Sequence, residues 1–459
     1  MKRNHFTYLL TGLLMLTGCK KEWLEKKTDK SLVVPESLVD LQAILDNDDI
    51  LNRRYAYIGN DGTDNSFIAD EDAAEFSNEE LNLYTWSKDI PYYNETTVKW
   101  EFPFAVIESA NIVLDGIKKL DQQDYRVKQL KGHALFGRAY AYFSAAQLFC
   151  KQYEAKTADV DPGLPLRLNS EVNELHQRST LSALYSLIIS DLKEARNLLP
   201  EKGASITRPT SIAAQAMLSK VYLMIQDYNT ARLYADSVLA LKPELIDFNN
   251  PSQVSNTFAY YFPPDGVGNP EIIFYAYKSL SYFETNYMDN YVQASQALFD
   301  LYEPDDLRKN VFFAQSGNRL NFVSSYTGTV RDFSGIATNE IYLIRSECNA
   351  RLNKLNEAKA DLVKLLSFRY ATGQTPTITA IDQQSLLKII LQERRKELPH
   401  TGNTRWEDLR RLNLEPAFAT TLTRTFLGKP YELAPNSSRY ILPIPNNEIK
   451  ISGIEQNQR

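Results

Sequence analysis

The chain has 459 residues, 43% of them hydrophobic and 24% charged. That composition describes a water-soluble body too long for one simple core, so two lobes or an extended solenoid are expected. A formal charge of −6 with no long basic stripe excludes nucleic acid as a partner, because phosphate binding needs clustered lysine and arginine.

The first residues are a targeting segment rather than fold. Lys2 and Arg3 precede a short apolar run from Leu9 to Leu16, too short to cross a bilayer as a stable helix. Leu16-Thr17-Gly18-Cys19 follows, and it resembles the bacterial lipobox, in which the signal is cut before a cysteine that is then lipidated. Residues 1–18 are therefore expected to be a lipoprotein signal peptide, Cys19 the lipidation site, and the polar stretch to Lys30 a tether. Cleavage leaves 49 basic against 57 acidic residues, a net of −8. No later apolar run is long enough to span a membrane, so attachment would rest on acyl chains. Cys150 and Cys348 sit inside apolar helical patterns and are expected to be buried, inert thiols.

From Ser31 to Asp49 the spacing predicts an amphipathic helix. Tyr55 to Asn94 loses helical periodicity and fills with Asp, Asn, Gly and aromatics, the composition of a functional loop. Helices are expected over Lys99–Leu120, His133–Tyr153 and Thr180–Leu199. Thr210–Pro243 reads as two amphipathic helices joined at Asp227-Tyr228-Asn229-Thr230, with Asn229 or Thr230 able to cap the second and Pro243 ending it. Small alanines at the crossing and a span of roughly 34 residues are the tetratricopeptide pattern. Phe248 to Gly335 interrupts the helices with turn signals and short alternating runs such as Glu271–Tyr277. Helical pattern returns over Ile341–Leu352, Asn356–Phe368 and Gln383–Leu398. Beyond Asn413 the chain reads as irregular, with one extended run at Tyr440–Pro445. The expected fold is mostly α: a tetratricopeptide-like helical-hairpin scaffold carrying long irregular inserts and a few short strands.

No catalytic constellation stands in the sequence: there is no His-Glu-x-x-His, no Gly-x-Ser-x-Gly and no phosphate-cradling glycine loop. His133, His176 and His400 are widely separated. No metal or cofactor is expected. Asp61, Asp64, Asp70, Glu71, Asp72 and Glu75 do not fit an EF-hand spacing and read as a solvated acidic loop. Glu393, Arg394, Arg395, Arg405, Asp408 and Arg410 surround Trp406; forked Arg–carboxylate pairs locking the last helices together explain them best. Sugar recognition needs a flat ring under the C–H face of a pyranose and amide or acid groups for its hydroxyls. The first insert offers Trp86, Tyr92 and Tyr93 with Asn65, Asp89 and Asn94. The second offers Tyr282, Phe283, Tyr287 and Tyr291 with Asn286 and Asn290.

Ile107-Glu108-Ser109-Ala110-Asn111, Arg138-Ala139-Tyr140-Ala141-Tyr142-Phe143 and Gly163-Leu164-Pro165-Leu166 follow one another in an order that resembles the SusD/RagB family of outer-membrane lipoproteins. Asp191-Leu192-Lys193-Glu194-Ala195 and Ile341-Tyr342-Leu343-Ile344 continue that order. Glu393-Arg394-Arg395-Lys396-Glu397-Leu398 running to Arg405-Trp406-Glu407-Asp408-Leu409 resembles the family's "ERRKEL…RW-x-DL" signature, and Pro443-Ile444-Pro445 its closing "PIP". Pro399–Thr404 departs from the usual "FEG" element, and Cys150 replaces a common glycine. The resemblance covers nearly the whole mature chain, divided into residues 31–247 and 248–459. It implies a non-enzymatic protein on the outer face of the outer membrane. There it would capture a glycan, or in some members a peptide, for a SusC-like TonB-dependent β-barrel transporter that the repeats would face. The alternative is a tetratricopeptide adaptor binding only protein, which has little use for long aromatic inserts. A glycoside hydrolase would need two carboxylates set across a cleft.

Overall fold

The structure is a computed structural model that describes residues 35, 37–58, 60–278 and 291–459. The signal peptide, Cys19 and the tether lie outside the described residues, as do Tyr282, Phe283, Asn286, Tyr287 and Asn290.

The chain opens with α1, Leu38–Leu45, begun by a reciprocal Ser37–Asp40 capping box, and a single turn, α2, Asp48–Leu51. Strand β1, Ser66–Ile68, and helix α3, Asn78–Tyr84, are the regular parts of the first insert; Ser77 and Glu80 cap α3 in the same reciprocal way. Helix α4, Val98–Gly116, starts at Thr97. Helix α5, Tyr125–Phe149, begins eight residues before the expected His133, because Asp124 caps a first turn too polar to show in the apolar pattern. From Ala134 to Phe149 every residue of α5 is buried, as in a helix covered on all sides. The turn after it holds β2, Pro162–Pro165, antiparallel to β3, Arg178–Thr180, and α6, Leu181–Leu198, follows.

Helices α7, Ser211–Met224, and α8, Tyr228–Leu241, form the expected hairpin. The cap of α8 is Asp227, which accepts from the Thr230 amide at 3.0 Å, rather than Asn229 or Thr230. Gln226 turns the chain at φ 65°. The second hairpin repeats this construction. Ser219 of α7 donates to the Ala231 carbonyl at 3.0 Å, and Ser346 of the later helix donates to that of Ala358 at 2.8 Å, each twelve residues on. Asn353, at φ 59°, occupies the place of Gln226.

Between the hairpins come β4, Ile272–Phe274, β5, Val292–Ala294, short helices α9, Gln296–Phe299, and α10, Arg308–Phe312, then β6, Phe313–Ser316, β7, Arg319–Phe322, and β8, Ile336–Ala337. The predicted alternation around Glu271–Tyr277 is absent: all of β4 is buried, since it pairs with β8 and is covered on both faces. Strand β5 pairs antiparallel with β1, Ser66 opposite Ala294, and so ties the second insert to the first. The second hairpin is α11, Thr338–Arg351, with α12, Leu355–Leu366; α11 packs against α8 and stacks the two hairpins. Helices α13, Gln383–Glu397, and α14, Thr404–Leu412, follow.

The chain beyond Asn413 is more regular than expected. β9, Leu422–Phe426, and β10, Lys429–Leu433, form a hairpin whose turn, Leu427-Gly428, has φ of 49° and 70°. Positive φ at both central residues is the type I′ geometry that matches strand twist. Tyr440 ends a 3₁₀ turn, and α15, Asn446–Ser452, lies near the C-terminus. The largest apolar core runs from Leu41 to Ile454 and draws on both sides of the 247/248 boundary. A smaller core lies within residues 246–337.

Buried ion pairs join the inserts to the helices. Arg369, fully buried, meets Glu271 at 2.7 Å and Glu397 at 2.8 Å. Arg308 meets Asp306, Glu393 and Glu397 at 2.7, 2.6 and 3.0 Å. Arg394 joins Asp408 and Glu340, while Arg411 joins Glu347 and Asp408. Arg394–Asp408 ties α13 to α14 as expected, and the motif's other charges also reach beyond the last helices. Arg395 and Arg405 both reach Asp64 of the first insert, at 3.1 and 2.8 Å. Arg410 binds backbone carbonyls. The reading of residues 61–75 as a solvated acidic loop holds for Asp70, Glu71 and Glu75, which are exposed, and needs correction for the other three. Asp61 is buried, Asp64 is paired, and Asp72 is held by Arg319 at 2.6 Å. Against its burial, Arg405 and Arg395 keep Asp64 well below the usual carboxylate range. Cys150 and Cys348 are free and buried, and burial pushes the Cys150 thiol up to about 11.

Candidate functional site

A pocket of about 390 Å³ opens where the inserts meet the first turn of α4. The loop after α2 supplies Tyr55, Tyr57 and Asp61, the cap of α3 supplies Ser77 and Glu80, and α4 supplies Lys99 and Phe102. Lys278, after β4, closes one side. Tyr93 stands at the mouth on a one-turn 3₁₀ helix and is 82% exposed. Thr97 caps α4 and donates to Glu79 at 3.2 Å, and Lys99 reaches the same carboxylate at 3.2 Å. These contacts fix the wall beside Tyr93.

Asp61 is 2% exposed and forms part of the pocket lining. Its Oδ1 lies 3.8 Å from Lys278 Nζ and has no hydrogen-bond partner among the described residues. Burial pushes its pKa up, and Lys278 and Lys99 oppose that rise. A buried carboxylate oxygen left unbonded is costly, so a ligand hydroxyl donating to it would be well placed. Lys278 donates its backbone amide to Asp332 at 2.9 Å, and Asp332 meets His400 at 2.9 Å. Against the cost of its partial burial, His400 holds the Asp332 carboxyl down.

The structure separates the residues expected to bind. Tyr93 lines the pocket, and Asn94 stands exposed beside it at φ 52°. Trp86 does not offer a platform: it is 2% exposed, its indole donates to the Gly62 carbonyl at 2.8 Å, and the Arg424 guanidinium lies 4.1 Å over its ring. Tyr92 is half-buried and donates to the Pro443 carbonyl at 2.9 Å. Asn65 is fully buried and accepts from Arg395 at 2.9 Å, which makes it a brace between insert and α13. Tyr291 packs against the cluster of Phe76, Tyr84 and Phe426. Tyr282, Asn286 and Tyr287 lie outside the described residues. Sequence reasoning did not find Tyr55, Tyr57, Asp61, Phe102 or Lys278 as pocket residues. The alternation Tyr55-x-Tyr57 was a signal; for Lys278 no local pattern exists.

The family described as "Starch-binding associating with outer membrane" matches residues 22–223, and the family described as "SusD family" matches residues 324–458. The chain belongs to the SusD/RagB family. The SusD-like protein P2 of Formosa agariphila is 22% identical, over 98% of this chain and 97% of its own length. Among solved structures, a SusD superfamily protein from Bacteroides thetaiotaomicron aligns with a TM-score of 0.74 at 20% identity, covering 92% of this chain and all of that one. A SusD-like carbohydrate binding protein from Bacteroides vulgatus aligns at 0.69 and 20% identity, covering 91% and 97%. At these identities the structural likeness concerns the fold. As a SusD-family member the chain is a nutrient-binding protein of the outer membrane and not an enzyme. Among the described residues of this SusD-family fold, no helix is long and apolar enough to cross a membrane. None of its described His, Cys, Asp and Glu side chains group in threes to hold a metal ion.

Proposed function

We propose that this protein is lipidated at Cys19, faces the cell exterior, and captures an oligo- or polysaccharide in the Tyr93 pocket for a SusC-like TonB-dependent β-barrel transporter. One observation carries the ligand reading. The two inserts, tied together by β1 and β5, converge on an open pocket with an exposed tyrosine at its mouth and the buried Asp61 in its lining, whose Oδ1 has no hydrogen-bond partner among the described residues. A pyranose stacks its C–H face on Tyr93 while its hydroxyls meet Asp61, Lys99 and Lys278. The hand-over reading is supported by family membership and by α8, which exposes Leu233 and Leu241 on the scaffold.

Soluble protein of residues 20–459 tested on a glycan and peptide panel should retain a glycan set. Retention of peptides alone would replace the sugar with a peptide, and retention of neither would favour the protein-binding adaptor. Detergent pull-down should recover a large β-barrel. Cys19→Ala should abolish fatty-acid labelling and release the protein from the membrane; a variant still labelled would contradict the anchor.

A further inference from the structure

A second pocket, of about 360 Å³, lies on α14 and the C-terminal segment, and the Tyr93 site does not use it. Its volume falls within the range of roughly 300–1,000 Å³ usual for small-molecule sites. Arg410 lines it and is 3% exposed. Among the described buried arginines, Arg138, Arg308, Arg369, Arg394 and Arg411 all meet a carboxylate; Arg410 alone does not. It donates instead to the carbonyls of Gln147 and Cys150 at the C-terminal end of α5, whose dipole offsets only part of a full charge.

Gln152 Oε1 is buried without a hydrogen-bond partner among the described residues, while the buried Asn413 side chain and Tyr440 hydroxyl lie against each other, a contact that leaves each with a hydrogen still to donate. Asn413 is 3% and Tyr440 4% exposed. Their other contacts hold them in place. Asn413 Oδ1 accepts from the Thr420 amide at 3.0 Å, Gln152 Nε2 donates to the Met224 carbonyl at 2.8 Å, and the Tyr440 ring packs on Trp406 at 4.9 Å. Two donors and a guanidinium without a counter-carboxylate suit an anion, whereas Gln152 Oε1 and the Ser437 and Ser438 rim suit hydroxyls. Glu154 at the exposed rim is the only carboxylate among the described lining residues.

We propose that this pocket binds a carboxylate-bearing sugar unit, such as a uronic acid, with the carboxylate toward Arg410, Asn413 Nδ2 and the Tyr440 hydroxyl and a ring hydroxyl donating to Gln152 Oε1. The site is separate from the Tyr93 pocket and does not depend on what that pocket takes.

The test titrates the protein of residues 20–459 calorimetrically with glucuronate, galacturonate, glucose and acetate. One of the uronates should bind at least tenfold more tightly than both glucose and acetate. Asn413→Asp keeps the acceptor for the Thr420 amide but sets a negative charge against the ligand, and should weaken uronate binding at least tenfold. Ser438→Trp, at the exposed mouth, should block it while leaving the melting temperature within error. Equal affinity for uronates and glucose, no uronate binding, or uronate binding unchanged in both variants would overturn the proposal. Because the probe is a monosaccharide read through residues of this pocket, those outcomes stand apart from any oligosaccharide result at Tyr93.

Discussion

The hairpin α7/α8 and the junction around α10, α13 and α14 are comparable in burial but opposite in chemistry. In the hairpin, Ala213, Ala214, Leu218, Val221, Ala231 and Ala235 bring two helices together through small apolar side chains, and one serine–carbonyl bond crosses between them. At the junction the buried groups are Arg308, Arg369, Lys396 and Arg394, set among Glu271, Asp306, Glu340, Glu393, Glu397 and Asp408. In the hairpin, residues sharing a face stand three or four apart in sequence, and the two helices are consecutive in the chain. The partners at the junction come from α10, the second insert and α13 at once. Apolar burial stabilises each leucine by roughly 1.5–3 kcal/mol wherever it is covered. A buried ion pair contributes little net stability, because desolvation cancels much of its attraction, but losing one member strands the other. The junction therefore specifies how the inserts sit more than it adds to stability.

Breaking the junction should have the largest effect. Arg369→Met leaves Glu271 and Glu397 without their shared cation and should cost about 3–5 kcal/mol in denaturant unfolding. A loss below about 1 kcal/mol would mean that these carboxylates are neutral in the fold. Acid probes the same region. Arg411 and Arg351, outweighing burial, hold Glu347 down to about 2 against an ordinary 4.5. Its folded pKa is depressed, so its contribution is present above about pH 4.5 and is lost as pH falls toward 2. Burial pulls His133 down to about 4 from 6.5, so the unfolded state binds the extra proton there too, and stability falls from pH 6.5 to 4. The unfolding free energy from urea titrations should decline across both windows by a total of a few kcal/mol; a flat profile from pH 7 to 3 would contradict the assignment. In the hairpin, Leu218→Ala should cost about 2–3 kcal/mol through the cavity it leaves and show no added acid sensitivity.

That contrast also sets what the sequence could disclose. The hairpin was legible, turn included, because its periodicity is local; only the cap was misplaced by two or three residues, onto Asn229 or Thr230 instead of Asp227. The β9–β10 hairpin carried its own signal, two strand-like runs around Leu427-Gly428, and was overlooked among irregular neighbours. The pocket was half legible. Tyr93 and Asn94 are exposed on a turn that their neighbours define. Trp86 looked equivalent, yet Gly62 and Arg424, distant in sequence, enclose it. Asp61 and Asp64 read alike as solvated acids, and only the fold shows that Asp64 is bonded to Arg405 while Asp61 Oδ1 is buried without a hydrogen-bond partner among the described residues.

The affinity of the residue 20–459 protein for its best panel glycan, with and without Tyr93→Ala, tests the Tyr93 site most directly. With its side chain 82% exposed, the substitution should leave stability within about 0.5 kcal/mol. Loss of the stacking ring should weaken binding roughly tenfold. Unchanged affinity in Tyr93→Ala, repeated in Asp61→Asn, would place the glycan elsewhere on the molecule.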